Sequence, residues 1–145
     1  MIEKQDEQAL ERFFFALSQA MSDVSLGELL AFYHVPCVFV SNDEKTVCSN
    51  PEQITSRLTR LFEPCQKANA IQHNATVVHA MTLSDSILFA KVDWQICNDK
   101  NDVEFSCSTS YTLERGGEFG FDIIVSVIDE EERALDDMCS QMEAQ

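Results

Sequence analysis

The stretch SLGELLAFYHVPCVFVSNDEKTVCSNPEQITSRLTRL, residues 25–61, decides the fold. Ser25 and Glu28 have capping-box spacing, in which a hydroxyl and a carboxylate three residues apart satisfy the exposed N–H groups of a helix start. They predict a short helix through about Phe32. Pro36 lacks an amide hydrogen and cannot continue that helix, and it pushes Val35 toward extended backbone. Val38, Phe39 and Val40 then read as a strand. After a polar stretch, Asn50-Pro51-Glu52-Gln53 opens a second capped helix. Asn50 caps it, Pro51 suits its first position, and Gln53 completes the box. Ile54, Leu58, Leu61 and Phe62 form its apolar stripe, and Pro64 is expected to end or kink it.

On the N-terminal side, residues 2–22 read as an amphipathic helix with Leu10, Phe13, Phe14, Leu17 and Met21 on one stripe. Glu3, Asp6, Glu7 and Glu11 occupy its early turns, where carboxylates complement the positive helix end. From about Ile71 onward the apolar period changes from helical to two. Residues 75–83, 87–96, 104–113 and 119–128 read as four strands joined by Ser-Asp-Ser, Asn/Asp-rich and Gly-Gly turns. Short connections favour antiparallel neighbours. Leu88, Ala90, Val92, Trp94 and Ile96 make one apolar face, opposed by Phe89, Lys91, Asp93 and Gln95. Phe105, Cys107, Thr109, Tyr111 and Leu113 repeat the pattern against Glu104 and a run of Ser and Thr. An acidic tail, 129–145, reads as a further helix with Leu135, Met138 and Met142 on a narrow stripe. It is expected to dock on a sheet edge or at the mouth of the fold. Segregated helices and strands without an internal linker define one α+β domain over residues 1–145, with its core at about 7–128.

Composition excludes several functions. The chain has 145 residues and a formal net charge of -15. Nucleic acid is excluded as a partner because phosphates are repelled and no Lys/Arg cluster offsets this. An anionic membrane surface is excluded on the same ground. No basic start followed by an apolar run marks a secretion signal, so a cytoplasmic location is expected. The six cysteines are scattered without a CxxC pair, which reads as small buried side chains rather than a disulfide framework or a zinc site. His73 and His79, six positions apart on one strand face, would stand about 20 Å apart, too far to share a metal. No metal or cofactor is expected. No Gly-rich phosphate loop and no Ser-His-Asp order is present.

The order of helix, short helix, Pro-broken strand, capped helix and long meander, with the phrases LLAFYHVPCVFVS and GEFGFDIIVSV, resembles the nuclear-transport-factor-2-like superfamily. Its members include ketosteroid isomerases, SnoaL-like cyclases and many small bacterial proteins. The resemblance implies a cone, a curved antiparallel sheet wrapped around three helices with a pocket at its wide end. It also implies homodimers through the open sheet face. The isomerase chemistry needs a tyrosine on the first helix and two acids, one after the first strand and one on a late strand. The matching positions here are Phe13, Ser41 and Ser110, so isomerase catalysis of that type is not expected.

These readings converge on a homodimeric domain that binds a small apolar or aromatic molecule in its cone. Phe14, Tyr33, His34, Trp94 and Tyr111 are the candidate pocket residues, with His34 the candidate base. Each has a plainer reading. His34 sits where a helix-end residue would bond a terminal carbonyl, and the aromatic side chains are equally suited to filling a core. A protein-interaction scaffold with a filled cone is the alternative, and a cofactor-free lyase or isomerase using His34 a third reading.

Overall fold

Side chains buried at helical spacing in the first half of the chain and at every second position in the second half divide the molecule into helices and one sheet. The computed structural model describes residues 2–23, 25–67 and 71–128, apart from the side chain of Phe105. The expected helix at 129–145, with Leu135, Met138 and Met142, lies outside the described residues. Helix α1 runs Lys4–Asp23, and α2, Leu26–Leu29, tightens into a 3₁₀ turn at Leu30–Phe32. Helix α3 spans Pro51–Lys67. The strands are β1 Tyr33–Ser41, β2 Lys45–Cys48, β3 Gln72–Thr82, β4 Ile87–Cys97, β5 Val103–Arg115 and β6 Phe121–Ile128.

The caps form as expected. The Glu28 amide donates to Ser25 Oγ at 3.4 Å, and the Gln53 amide donates to Asn50 Oδ1 at 2.9 Å. Gln53 Oε1 reaches one residue beyond the cap and accepts from the Ser49 amide at 2.6 Å. Pro64 does not end α3, which continues to Lys67. It falls within the last turn, where a missing N–H and a ring clash disturb little downstream helix.

The strands form one sheet in the order β2-β1-β6-β5-β4-β3. Two features correct the expectation of an antiparallel meander. Strand β2 is an additional edge strand, paired antiparallel to β1 with Cys37 opposite Cys48. Strand β6 lies parallel to β1, with Val38 opposite Val125 and Val40 opposite Val127, so the sheet is mixed. Hairpin turns specify the β3–β6 neighbours locally. The β1–β6 pairing joins distant parts of the chain and leaves no local signal. Register shifts interrupt the β1–β6, β3–β4, β4–β5 and β5–β6 ladders, and such irregularities bend and twist a sheet.

The inner face carries the core. Leu88, Ala90, Val92, Trp94 and Ile96 are fully buried, together with Leu113 and Ile123. They join Leu10, Phe13, Phe14 and Leu17 of α1 and Ile54, Leu58 and Phe62 of α3 in one cluster. The outer face is half-buried, with Val38, Val40, Phe89, Ser110, Thr112, Val125 and Val127 in intermediate positions.

The register shift between Val77 and His79 also corrects the histidine reading. It breaks the alternation, so His73 is buried while His79 is exposed and tilts against Phe89 at 6.2 Å.

Candidate functional site

Strand alternation and the α1 stripe bring three of the proposed pocket residues together. Trp94 Nε1 donates to the Tyr111 hydroxyl at 3.2 Å, and the Tyr111 ring lies 5.1 Å from that of Phe14. Tyr33 is buried on the inner face of β1, with its ring 5.5 Å from Phe39. These side chains occupy the interior themselves, because Trp94, Tyr111, Phe14 and Tyr33 are each at most 6% exposed.

His34 is not among them. It lies on β1 rather than at a helix end, one residue out of phase with Tyr33, and so faces the outer side. Its Nδ1 is 3.0 Å from the Pro36 carbonyl and its Nε2 is 4.0 Å from Glu114 Oε1. The helical segment ends at Phe32, as expected, and Val35 and Pro36 favour the extended backbone that follows.

The isomerase-equivalent positions do not converge. Phe13 is fully buried. Ser41 is used by its own turn, donating to the Glu44 carbonyl at 3.2 Å and accepting from the Glu44 amide at 3.1 Å. Ser110 is half-buried, and the buried neighbours Thr109 and Tyr111 take the inward positions on either side of it.

Two of the buried polar side chains, His73 and Arg57, carry ionisable groups. His73 sits between the rings of Phe62 and Trp94, with Nε2 3.9 Å from Cys65 Sγ. Its amide donates to Ser22 Oγ at 3.0 Å, tying β3 to α1. Burial pushes its imidazole down to about 4, against a smaller opposing effect of the Ile71 backbone. It is therefore neutral at physiological pH and is not a charged site. Arg57, on the same α3 face as Ile54 and Leu58, places its guanidinium 5.5 Å from the Phe39 ring centre. Its position three residues after Ile54 was the available sequence signal. Cys37 and Cys48 face each other across β1–β2, and burial pushes the Cys37 thiol up to about 12, which leaves it unreactive. Among the described residues no three His, Cys, Asp or Glu side chains are placed to share a metal ion.

The well-formed hollows among the described residues open at the periphery. One, of about 610 Å³, lies between β2 and α3 and includes Glu44, Glu52, Arg57 and Arg60. Arg60 pairs with Glu44 at 2.8 Å there. Another, of about 410 Å³, lies between α1, the Leu30–Phe32 turn and the β5–β6 turn. Phe119 closes its outer side, 40% exposed, with its ring stacked on Phe32 at 4.3 Å and an interplanar angle of 3°. Phe119 belongs to the turn before β6 rather than to the strand, as three glycines with positive φ, Gly116, Gly117 and Gly120, reverse the chain around it. From this hollow a chain of ring contacts leads inward. Phe32 meets Phe13 at 5.5 Å, Phe13 meets Phe14 at 5.1 Å, and Phe14 meets Tyr111. The hollow thus touches this aromatic row only at its outermost ring, Phe32.

Solved structures share this architecture. An NTF2-like protein of unknown function from Shewanella oneidensis superposes with a TM-score of 0.66 at 11% identity, covering 86% of this chain and 98% of its own. A domain of unknown function with a cystatin-like fold from Nostoc punctiforme gives a TM-score of 0.67 at 13% identity, covering 99% and 100%. A protein from Catenulispora acidiphila, solved in complex with S-DNPA, gives 0.66 at 13% identity, covering 92% and 99%. At these identities the likeness establishes the cone fold. No curated protein sequence matches the chain. No described helix is long and apolar enough to cross a membrane. The family model described as NTF2-like protein (DUF6841) matches residues 4–131, and the chain belongs to that family.

Proposed function

We propose that this domain binds a small apolar or aromatic molecule at the hollow beneath Phe119, and that it does so as a homodimer through its outer sheet face. The observation that carries the reading is the 410 Å³ hollow whose apolar lining is Ala16, Ala20, Ala31, Phe32 and Phe119. Pockets for small ligands are concave, mainly apolar and edged by a few polar groups, and this one has that composition. A structural neighbour with a bound small molecule supports the same use of the fold. The filled interior moves the expected site outward from Trp94 to Phe119.

The dimer rests on the outer face. Val38, Val40, Val125 and Val127 form a half-buried apolar area on β1 and β6, and Thr112 of β5 lies between it and the half-buried Phe89 of β4. An apolar area of this kind on an open sheet favours association.

The test is nuclear magnetic resonance titration with neutral aromatic probes, indole and benzyl alcohol. Amide shifts at Ala16, Ala20, Phe32 and Phe119 are expected, with Trp94 fluorescence unchanged because the indole is sealed from the hollow. Shifts confined to other regions, or none at millimolar probe, would leave the filled-cone scaffold as the better reading. Sedimentation at micromolar concentration is expected to give twice the monomer mass.

A further inference from the structure

The charged groups of the two hollows differ. The β2–α3 groove balances Glu44 and Glu52 with Arg57 and Arg60. Among the described residues, the Phe119 hollow carries Asp23, Glu28 and Glu118 and is lined by no Lys, Arg or His. Asp23 is the last residue of α1, and the final turn of that helix contains no basic residue. A carboxylate at a helix C-terminus meets the negative end of the macrodipole and is disfavoured there. Among the described residues no basic side chain in the lining offsets the negative potential of this hollow, in a chain of net charge -15.

The apolar part of the hollow is shaped by side chains of two sizes. Ala16, Ala20 and Ala31 leave room, and Phe119, exposed and stacked on the buried Phe32 ring, supplies the accessible aromatic surface. An aromatic face attracts a cation through its quadrupole, and the gain is larger where water is partly excluded.

We propose that the Phe119 hollow takes a small organic cation, an ammonium carried on an apolar or aromatic body. The apolar body lies against the alanines and the Phe32/Phe119 rings, and the ammonium faces Asp23, Glu28 and Glu118. This rests on the reading that the hollow is the binding site and adds the charge class of the ligand.

Three probes of equal size separate the two statements: benzylammonium, benzyl alcohol and benzoate, titrated into the full chain at low salt with ligand-observed magnetic resonance. Benzylammonium is expected to bind about tenfold more tightly than benzyl alcohol, with benzoate unbound. Asp23→Asn combined with Glu118→Gln is expected to remove most of that preference, Glu28 alone remaining to face the ammonium. Both positions are exposed, so the fold is retained. Phe119→Ala is expected to weaken both probes. Equal binding of benzylammonium and benzyl alcohol overturns the cation assignment and leaves the hollow as a neutral apolar site. A preference for benzylammonium that survives the double variant and Phe119→Ala places the cation elsewhere and overturns it as well. Binding of none of the three overturns both the assignment and the site.

Discussion

Two faces of one strand meet different fates. On β4, Leu88, Ala90, Val92, Trp94 and Ile96 are fully buried, while the alternate residues Lys91, Asp93 and Gln95 are exposed and Phe89 is half-buried. The inner face is settled within the chain, because helices and aromatic rings cover it. The outer face is settled only in part. Its polar side holds itself with local bonds such as Ser108 Oγ to Asp93 Oδ1 at 2.6 Å, whereas its valine side has surface left for a partner. Inner-face changes should therefore act on stability, and surface changes on assembly, binding or modest local energetics.

The sharpest break of that contrast is at Trp94. Trp94→Ala deletes a fully buried indole and its bond to Tyr111, and a loss of about 3–5 kcal/mol is expected. Thermal unfolding should fall by roughly 10 °C or more. Gln95→Ala, the next residue on the opposite face, should change stability by no more than about 0.5 kcal/mol. Similar losses at the two positions would mean that the inner face is not the seat of stability.

His73 tests the same face through pH. Its folded-state value is lowered to about 4, against an ordinary value near 6.5. Between those values the unfolded chain binds a proton that the folded chain does not, so stability falls as pH drops from about 6.5 to about 4 and is level below. The contribution is at most about 3 kcal/mol across that window. Denaturant midpoints for His73→Gln should show a flatter pH profile in that range than the parent. An unchanged profile would assign the acid sensitivity to carboxylates instead.

The outer face offers the next break. Phe89→Glu introduces charge into the apolar patch and is expected to convert the dimer to monomer in sedimentation. The stability of the monomer itself should fall by about 1 kcal/mol, since Phe89 is only half-buried. A parent protein that is already monomeric would remove the outer face as an assembly surface.

How far each region was legible follows from the range of the forces that shape it. The caps at Ser25 and Asn50 and the alternation on β4 and β5 are local patterns, and each gave the element found. The β2 strand was hidden because Lys-Thr-Val-Cys is too short for alternation to register, and the parallel β1–β6 pairing is non-local. His73 and His79 were placed on one face because a register shift has no residue signature here. The candidate pocket was legible as a set of inward aromatic side chains, of which Phe14, Trp94 and Tyr111 do meet. Whether they enclose space or fill it depends on packing to within a ring's thickness, which periodicity does not encode. Phe119 lies outside the strand expected over 119–128 because the positive φ of Gly120 extends the Gly-Gly turn past it, to a strand that starts at Phe121.

The smallest expected effect lies at the edge where the helical layer is tied to the sheet by charge. Arg115 donates from Nη1 and Nη2 to the two carboxylate oxygens of Asp6 at 2.7 and 2.8 Å, and from Nε to the Asp85 carbonyl at 2.8 Å. This bidentate pair joins the first turn of α1 to the end of β5 and the β3–β4 turn. The hydrogen bond from Arg115 holds the Asp6 carboxyl below the usual carboxylate range. A lowered carboxylate contributes stability that is fully present above its unfolded value and is lost as pH falls through its folded value. Both partners are partly exposed, so screening keeps the term small, and a double-mutant cycle of Asp6→Asn with Arg115→Gln is expected to give a coupling of about 0.5–1 kcal/mol. The coupling should shrink in high salt, which screens exposed pairs more than buried ones. A coupling of several kcal/mol, or one indifferent to salt, would show that this edge is held as firmly as the inner face and would erase the contrast between them.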